Sequence, residues 1–203
     1  MKDRPETGST RAEVCAPPRR ALLAGALAAI LAGCGAPRRG AAAVGGPFHL
    51  VDQRGAPADQ RILAGKWSAV FFGYTFCPDV CPMTLTTLAQ AIDRLGPKAA
   101  QVQVVFVSVD PERDTPAQLA TYLSSPAFPK ATIGLTGTPA EVAAAALAYH
   151  VYYKKAGTGP DYSVDHTAII YLMDPQGRFS RPIAEGISPE ETARQISEAM
   201  RGG

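Results

Sequence analysis

Two cysteines four positions apart, Cys77 and Cys81, stand in the stretch Gly73-Tyr-Thr-Phe-Cys-Pro-Asp-Val-Cys-Pro82. A pair at this spacing can close a disulfide, exchange one with another protein, or grip a soft metal ion. Pro78 and Pro82 fix two φ angles and remove two N–H donors, so the loop presents its sulfurs with little freedom. A permanent disulfide is the plainer alternative, but it would close a tiny loop, where stabilisation by loop closure is smallest.

The elements on either side say where the thiols must sit. An apolar run, Ala69-Val-Phe-Phe72, leads in, and apolar residues at Leu85, Leu88, Ala89, Ile92 and Leu95 lead out with helical spacing. The pair is therefore expected at a strand-to-helix turn. Cys81 would fall in the first helical turn, where free N–H groups favour a thiolate and should depress its pKa.

Iron–sulfur clusters generally take four cysteines and closed zinc sites four ligands, whereas two thiolates with one imidazole suit copper. Of three histidines, His49 is expected in an edge strand and His150 at a helix end, both as surface or capping residues. His166 lies in Tyr162-Ser-Val-Asp-His-Thr167, at the start of an expected strand after the Gly/Pro-rich segment 156–160, which reads as mobile. From spacing alone His166 is a ligand or a bystander, with neither favoured. Asp79 and Asp165 flank these residues and either orient His166, meet a partner, or are simply solvated. Met83, Met173 and Met200 are expected to pack in the core rather than bind metal. Zinc held by the two thiols, His166 and an aspartate is chemically possible.

The rest of the chain addresses this site. The 203 residues carry 20 Lys+Arg against 18 Asp+Glu, and the excess lies before residue 34, leaving a body with no electrostatic footprint for nucleic acid. Residues 19–34 read RRALLAGALAAILAGC: a basic pair and an apolar stretch from Ala21 to Gly33, too short for a spanning helix and suited to a signal peptide over residues 1–33. Leu31-Ala-Gly-Cys34 resembles a bacterial lipobox, which makes Cys34 the expected lipidated first residue of the mature chain; an uncleaved signal anchor is the alternative. Cys15 leaves with the signal peptide, so only Cys77 and Cys81 remain for sulfur chemistry in an oxidising compartment. Residues 34–47, rich in Gly, Ala and Pro, read as a flexible tether, and 48–203 as one domain.

Within that domain residues 48–55 suggest an N-terminal hairpin, and Val102–Val109 is the strongest strand pattern. Thr115, Thr138 and Ser188 each precede a proline and stand three residues before Gln118, Glu141 and Glu191, which predicts three helices opened by capping boxes. Residues 167–173 and 178–183, joined by Asp174-Pro-Gln-Gly177, read as a hairpin. Alternating strands and helices with a terminal hairpin make an α/β fold. A thiol pair after the first central strand makes that fold resemble thioredoxin: a central mixed sheet with flanking helices and an N-terminal hairpin extension.

Three blocks, GYTFCPDVCP, VSVDPERDTP from Val107 to Pro116, and YSVDHTAIIYLMDPQG from Tyr162 to Gly177, occur in the order and spacing of the SCO/SenC family. On them the chain resembles that family of thioredoxin-fold copper proteins over nearly all of 48–203. The resemblance implies one copper ion, Cu(I) and/or Cu(II), held by Cys77, Cys81 and His166. It further implies a metallochaperone rather than a clear-cut enzyme, delivering copper to the dinuclear centre of cytochrome c oxidase subunit II or to another copper-receiving protein. A copper donor or thiol reductant would serve it, and Cys34 would tether it to a membrane at the extracytoplasmic, periplasmic face of a bacterial envelope. A thiol:disulfide oxidoreductase that reduces the recipient's cysteines through a redox-active Cys77–Cys81 pair is the alternative. Segment Asp110–Asp114 (DPERD) reads as loop architecture or partner surface.

Overall fold

The computed structural model describes residues 43–202. In chain order its strands and helices are β1 (His49–Asp52), β2 (Pro57–Asp59), β3 (Trp67–Gly73), α1 (Val80–Arg94), β4 (Val102–Ser108), α2 (Pro116–Leu123), β5 (Ile133–Thr136), α3 (Pro139–Ala148), β6 (Tyr153–Ala156), β7 (Ser163–His166), β8 (Ile169–Met173), β9 (Phe179–Ala184) and α4 (Pro189–Gly202). Seven strands form one mixed sheet in the order β2-β1-β5-β4-β3-β8-β9. The central trio β5-β4-β3 is parallel, and the strands beyond it on both sides are antiparallel. This is the thioredoxin-like α/β arrangement expected from the alternating pattern.

β3 is buried at every position because β4 and β8 flank it and helices cover the sheet, which explains its lack of polar alternation. α1 and α4 pack on each other, while α2 lies on β5 and α3 on β1. The register Gly73↔Ser108 brings the carboxyl ends of β3 and β4 level. The thiol loop after β3 and the DPERD segment after β4 therefore leave the sheet side by side.

All three helix starts are where the sequence puts them, but their chemistry differs. Thr138 and Glu141 form the full reciprocal box. Thr115 Oγ1 caps the Gln118 N–H, yet the Gln118 side chain turns away to Thr75 Oγ1 at 3.4 Å. Ser188 Oγ accepts the Glu191 N–H, while the Glu191 carboxylate pairs with Arg194. The Gln118 carboxamide thus goes to a residue 43 positions away, which no local pattern shows, while the Glu191 carboxylate goes to an arginine three positions along its own helix.

Three expectations change. β1 lies inside the sheet with β2 outside it, so His49 is not on an edge strand, although its side chain is exposed. The segment before His166 folds as a separate two-stranded ribbon, β6–β7, and His166 ends β7 rather than opening a strand. Ala156 ends β6, the residues that follow to Pro160 belong to the ribbon's turn, and the Pro160 carbonyl accepts a hydrogen bond from Arg113 at 3.1 Å. Met83 is 56% exposed, whereas Met173 is fully buried and Met200 packs at the core margin.

Residues 1–42, with the expected signal peptide and Cys34, lie outside the described residues. Within the expected tether Val44 packs on the core and the Gly45 N–H donates to the Ala148 carbonyl at 2.8 Å. Packing thus reaches back beyond Phe48.

Candidate metal centre

Cys77 sits in the loop between β3 and α1, and Cys81 is the second residue of α1. Both are free thiols, Cys77 half-buried and Cys81 fully buried. Asp79 occupies the helix N-cap position, but its side chain makes no capping bond. A sulfur does the work instead: the Cys81 backbone N–H donates to Cys77 Sγ at 3.4 Å.

This geometry reverses the expected thiol chemistry. The Cys81 S–H donates to the Cys77 sulfur, and the N–H groups of Cys81, Asp79 and Val80 add to it, holding the Cys77 thiol down to about 5 against the effect of burial. The same hydrogen bond together with burial pushes the Cys81 thiol far above its ordinary range. The helix N-terminus favours a thiolate on Cys77, three positions before the helix begins, whose sulfur the Cys81 N–H faces, rather than on Cys81.

β7 brings the third residue in. His166 Nε2 lies 3.9 Å from Cys81 Sγ. Its Nδ1 lies 3.1 Å from the Thr167 carbonyl. A carbonyl only accepts, so Nδ1 carries a proton in this contact, and Nε2 is the ring nitrogen that faces the sulfur. Edge-on contacts with Phe71 and Tyr74, at 6.3 and 6.1 Å between ring centres, fix its plane. The carbonyl therefore fills the orienting role that Asp165 or Asp79 was a candidate for. Both aspartates are exposed and border the open groove between the thiol loop and β7.

Metal–sulfur and metal–nitrogen bonds of about 2.3 and 2.0 Å span roughly 3.5–3.8 Å between the donors at tetrahedral to trigonal angles. The observed 3.9 Å between Cys81 and His166 is within a few tenths of an ångström of that span. Among the described residues no three His, Cys, Asp or Glu side chains are yet gathered at ligating distance of one point. Cys77, Cys81 and His166 are soft and borderline donors, and Cys77 and His166 line an open groove.

Two further groups lie near the thiols, one in the segment expected to be loop architecture and one that carried no local signal. Buried Asp114, at the end of DPERD, accepts from the Thr75 N–H at 3.0 Å, Thr75 Oγ at 2.6 Å and Ser108 Oγ at 2.7 Å, anchoring the thiol loop. Burial pushes its carboxyl up against these bonds. Glu185, just past β9, has both carboxylate oxygens buried with no hydrogen-bond partner among the described residues. Burial first, and the Cys77 charge second, raise it to about 7. Its position could be read only from the β8–β9 pairing.

A thioredoxin-like sheet that carries two thiols on the β3–α1 turn and a histidine across from them defines a class of thiol-bearing α/β proteins. Within it, a model of the SCO1/SenC family matches residues 36–201, and the chain belongs to that family. It is 42% identical over 158 residues to Protein SenC of Rhodobacter capsulatus, covering 76% of this chain and 70% of that one. Protein SCO1 homolog 1, mitochondrial, of Arabidopsis thaliana is 45% identical over 145 residues, 70% of this chain and 43% of the relative. The chain spans about half the length of such mitochondrial relatives. The structure of Bradyrhizobium japonicum ScoI with copper bound superimposes with a TM-score of 0.70 at 47% identity, covering 77% of this chain and 99% of that one.

Proposed function

We propose that this chain is a membrane-tethered copper chaperone that carries one copper ion on Cys77, Cys81 and His166. It delivers the ion for assembly of the dinuclear copper centre of cytochrome c oxidase subunit II or of another copper-receiving protein. The observation that carries this reading is Nε2 of His166 standing 3.9 Å from Cys81 Sγ, which adds an imidazole donor to the two sulfurs. The copper-bound ScoI relative supports it. Transfer proceeds by ligand exchange: thiolates of the recipient attack the bound ion while His166, on the ribbon, departs. The apolar rim beside Cys77, with Phe76 53% and Val80 40% exposed, suits a protein recipient. Tethering rests on the signal-peptide pattern and Cys34 and places the protein at the periplasmic face of a bacterial envelope.

The test is anaerobic titration of the reduced protein with Cu(I), followed by presentation of apo subunit II. His166→Ala is expected to weaken binding and accelerate loss of copper. Full affinity in that variant refutes the ligand set.

One observation favours a second reading. A half-buried Cys77 held down to about 5, beside a buried Cys81 held as a thiol, is the division of labour of a disulfide reductase. The Cys77 thiolate would attack a disulfide of the recipient, and Cys81 would then displace the reduced partner and close the intramolecular disulfide. Cys77→Ser abolishes that activity while His166→Ala leaves it intact.

A further inference from the structure

The β6–β7 ribbon that carries His166 shares no strand pairing with the main sheet, and a two-stranded ribbon is marginal by itself. Its placement therefore depends on side chains. The guanidinium carbon of Arg113 lies 3.6 Å from the centre of the Tyr162 ring on the ribbon side and 4.6 Å from that of Phe76 on the thiol-loop side. Tyr162 immediately precedes β7, and Phe76 is the chain neighbour of Cys77. Arg113 Nε donates to Asp110 Oδ2 at 2.5 Å and Nη1 to the Pro160 carbonyl at 3.1 Å, while Nη2 is buried without an acceptor among the described residues. The Tyr162 hydroxyl donates to the other Asp110 oxygen at 2.5 Å. Lys155 of β6 adds a tie by pairing with Glu112.

Segment Asp110–Asp114 thus faces both halves of the site. Asp114 holds the thiol loop through Thr75, and Asp110 with Arg113 holds the ribbon. A planar guanidinium can stack on rings while donating in its own plane, which a lysine cannot do. We infer that Arg113 is a positioning residue of the metal centre, setting the distance of His166 from Cys81 by pinning the ribbon to the segment that anchors the thiols. The metal-binding arm of this inference rests on the copper reading above.

The test is a double-mutant cycle on the full reduced chain, with Cu(I) affinity measured against a chromophoric chelator. Arg113→Met keeps an apolar side chain over the rings but removes the ties to Asp110 and Pro160. Affinity is expected to fall about 10–100-fold, as for other groups that orient a metal ligand, and the loss should vanish in the His166→Ala background. Equal losses in both backgrounds, or none in either, overturn the inference. Asp114→Asn, which acts on the thiol side, is expected to weaken binding in both. Should Arg113→Met fail to fold, Tyr162→Phe removes a single hydroxyl and carries the same cycle at a smaller loss.

A metal-free arm separates the two readings. In the apo protein the His166 ring resonances, displaced by Phe71 and Tyr74, are expected to move toward free-histidine values in Arg113→Met. Unmoved resonances overturn the positioning role even if copper binding fails altogether.

Discussion

Gly73, the last residue of β3, has an ordinary strand conformation, and the reason for a glycine there is space. A Cβ built on it comes 2.8 Å from Cys81 Sγ, 2.9 Å from Phe106 Cε2 and 3.1 Å from Phe71 Cε1, where ordinary contact begins at 3.4 Å. Gly73→Ala must therefore displace the Cys81 sulfur by some tenths of an ångström while pressing on two buried rings. Overpacking of this kind costs about 1–3 kcal/mol, and at this chain length each kcal/mol lowers Tm by about 2–4 °C. Moving the sulfur also disturbs its 3.9 Å relation to His166, so Cu(I) affinity should fall with stability. Calorimetry and chelator competition on the same sample measure both. In a Cys81→Ala background the clash with sulfur disappears and the clashes with the rings remain, so the stability penalty should shrink without vanishing. Unchanged Tm and affinity in Gly73→Ala would show that the sulfur has room the structure denies it.

Alkylation of the reduced apo protein should proceed at Cys77 with a rate that levels off above about pH 6 and falls as pH drops through about 5, while Cys81 stays unreactive until unfolding. A rate still rising between pH 7 and 9 contradicts the thiolate assignment. Glu185 is raised in the folded state, so its contribution to stability is present below the ordinary glutamate range and is lost as pH rises through about 7. Glu185→Gln should accordingly raise the urea midpoint at pH 8 and leave it nearly unchanged at pH 4; the opposite ordering would mean that the carboxylate has a cationic partner. Asp114→Asn weakens three hydrogen bonds at a buried carboxyl and should lower stability by about 1–3 kcal/mol, read as a shift in the denaturant midpoint. Thr138→Ala removes a complete capping box far from the thiols and should reduce stability by about 1 kcal/mol with copper affinity untouched.

Features whose causes are local were legible in the sequence. The strand ending at Gly73, the helix beginning beside Cys81 and the three Thr/Ser-Pro helix starts are written in runs and spacings of a few residues. So was the turn at Asp174–Gly177, where the Gly177 N–H bonds back to Asp174 with φ at +73°. What local pattern could not show is which side chains meet across the fold. The Gln118 side chain leaves its cap for Thr75, 43 positions earlier in the chain. The β6–β7 ribbon has only four residues per strand, and half of its positions are exposed, so no periodicity announces it. His166 was visible as a candidate, but its distance from Cys81 depends on Asp110, Arg113 and Tyr162, which are drawn from two separate blocks of the chain.

The asymmetry of the thiols shows how a correct local reading can assign chemistry to the wrong atom. A helix N-terminus lowers a thiol pKa only if its free N–H groups point at that sulfur. A residue inside the first turn points its side chain away from those groups, and Cys81 accordingly buries its sulfur against the sheet. The residue four positions earlier lies at the mouth of the helix, where Cys77 Sγ takes the place left by the non-capping Asp79. The three-residue spacer thus gives the sulfurs different duties: one is a standing thiolate at the open groove, and the other is a thiol turned toward His166. Cys77 and His166 both line the groove, and the Cys81 sulfur lies buried behind them. On the copper reading proposed above, capture would begin at these two groove residues, and the buried Cys81 thiol would be the last donor to join and would have to give up its proton.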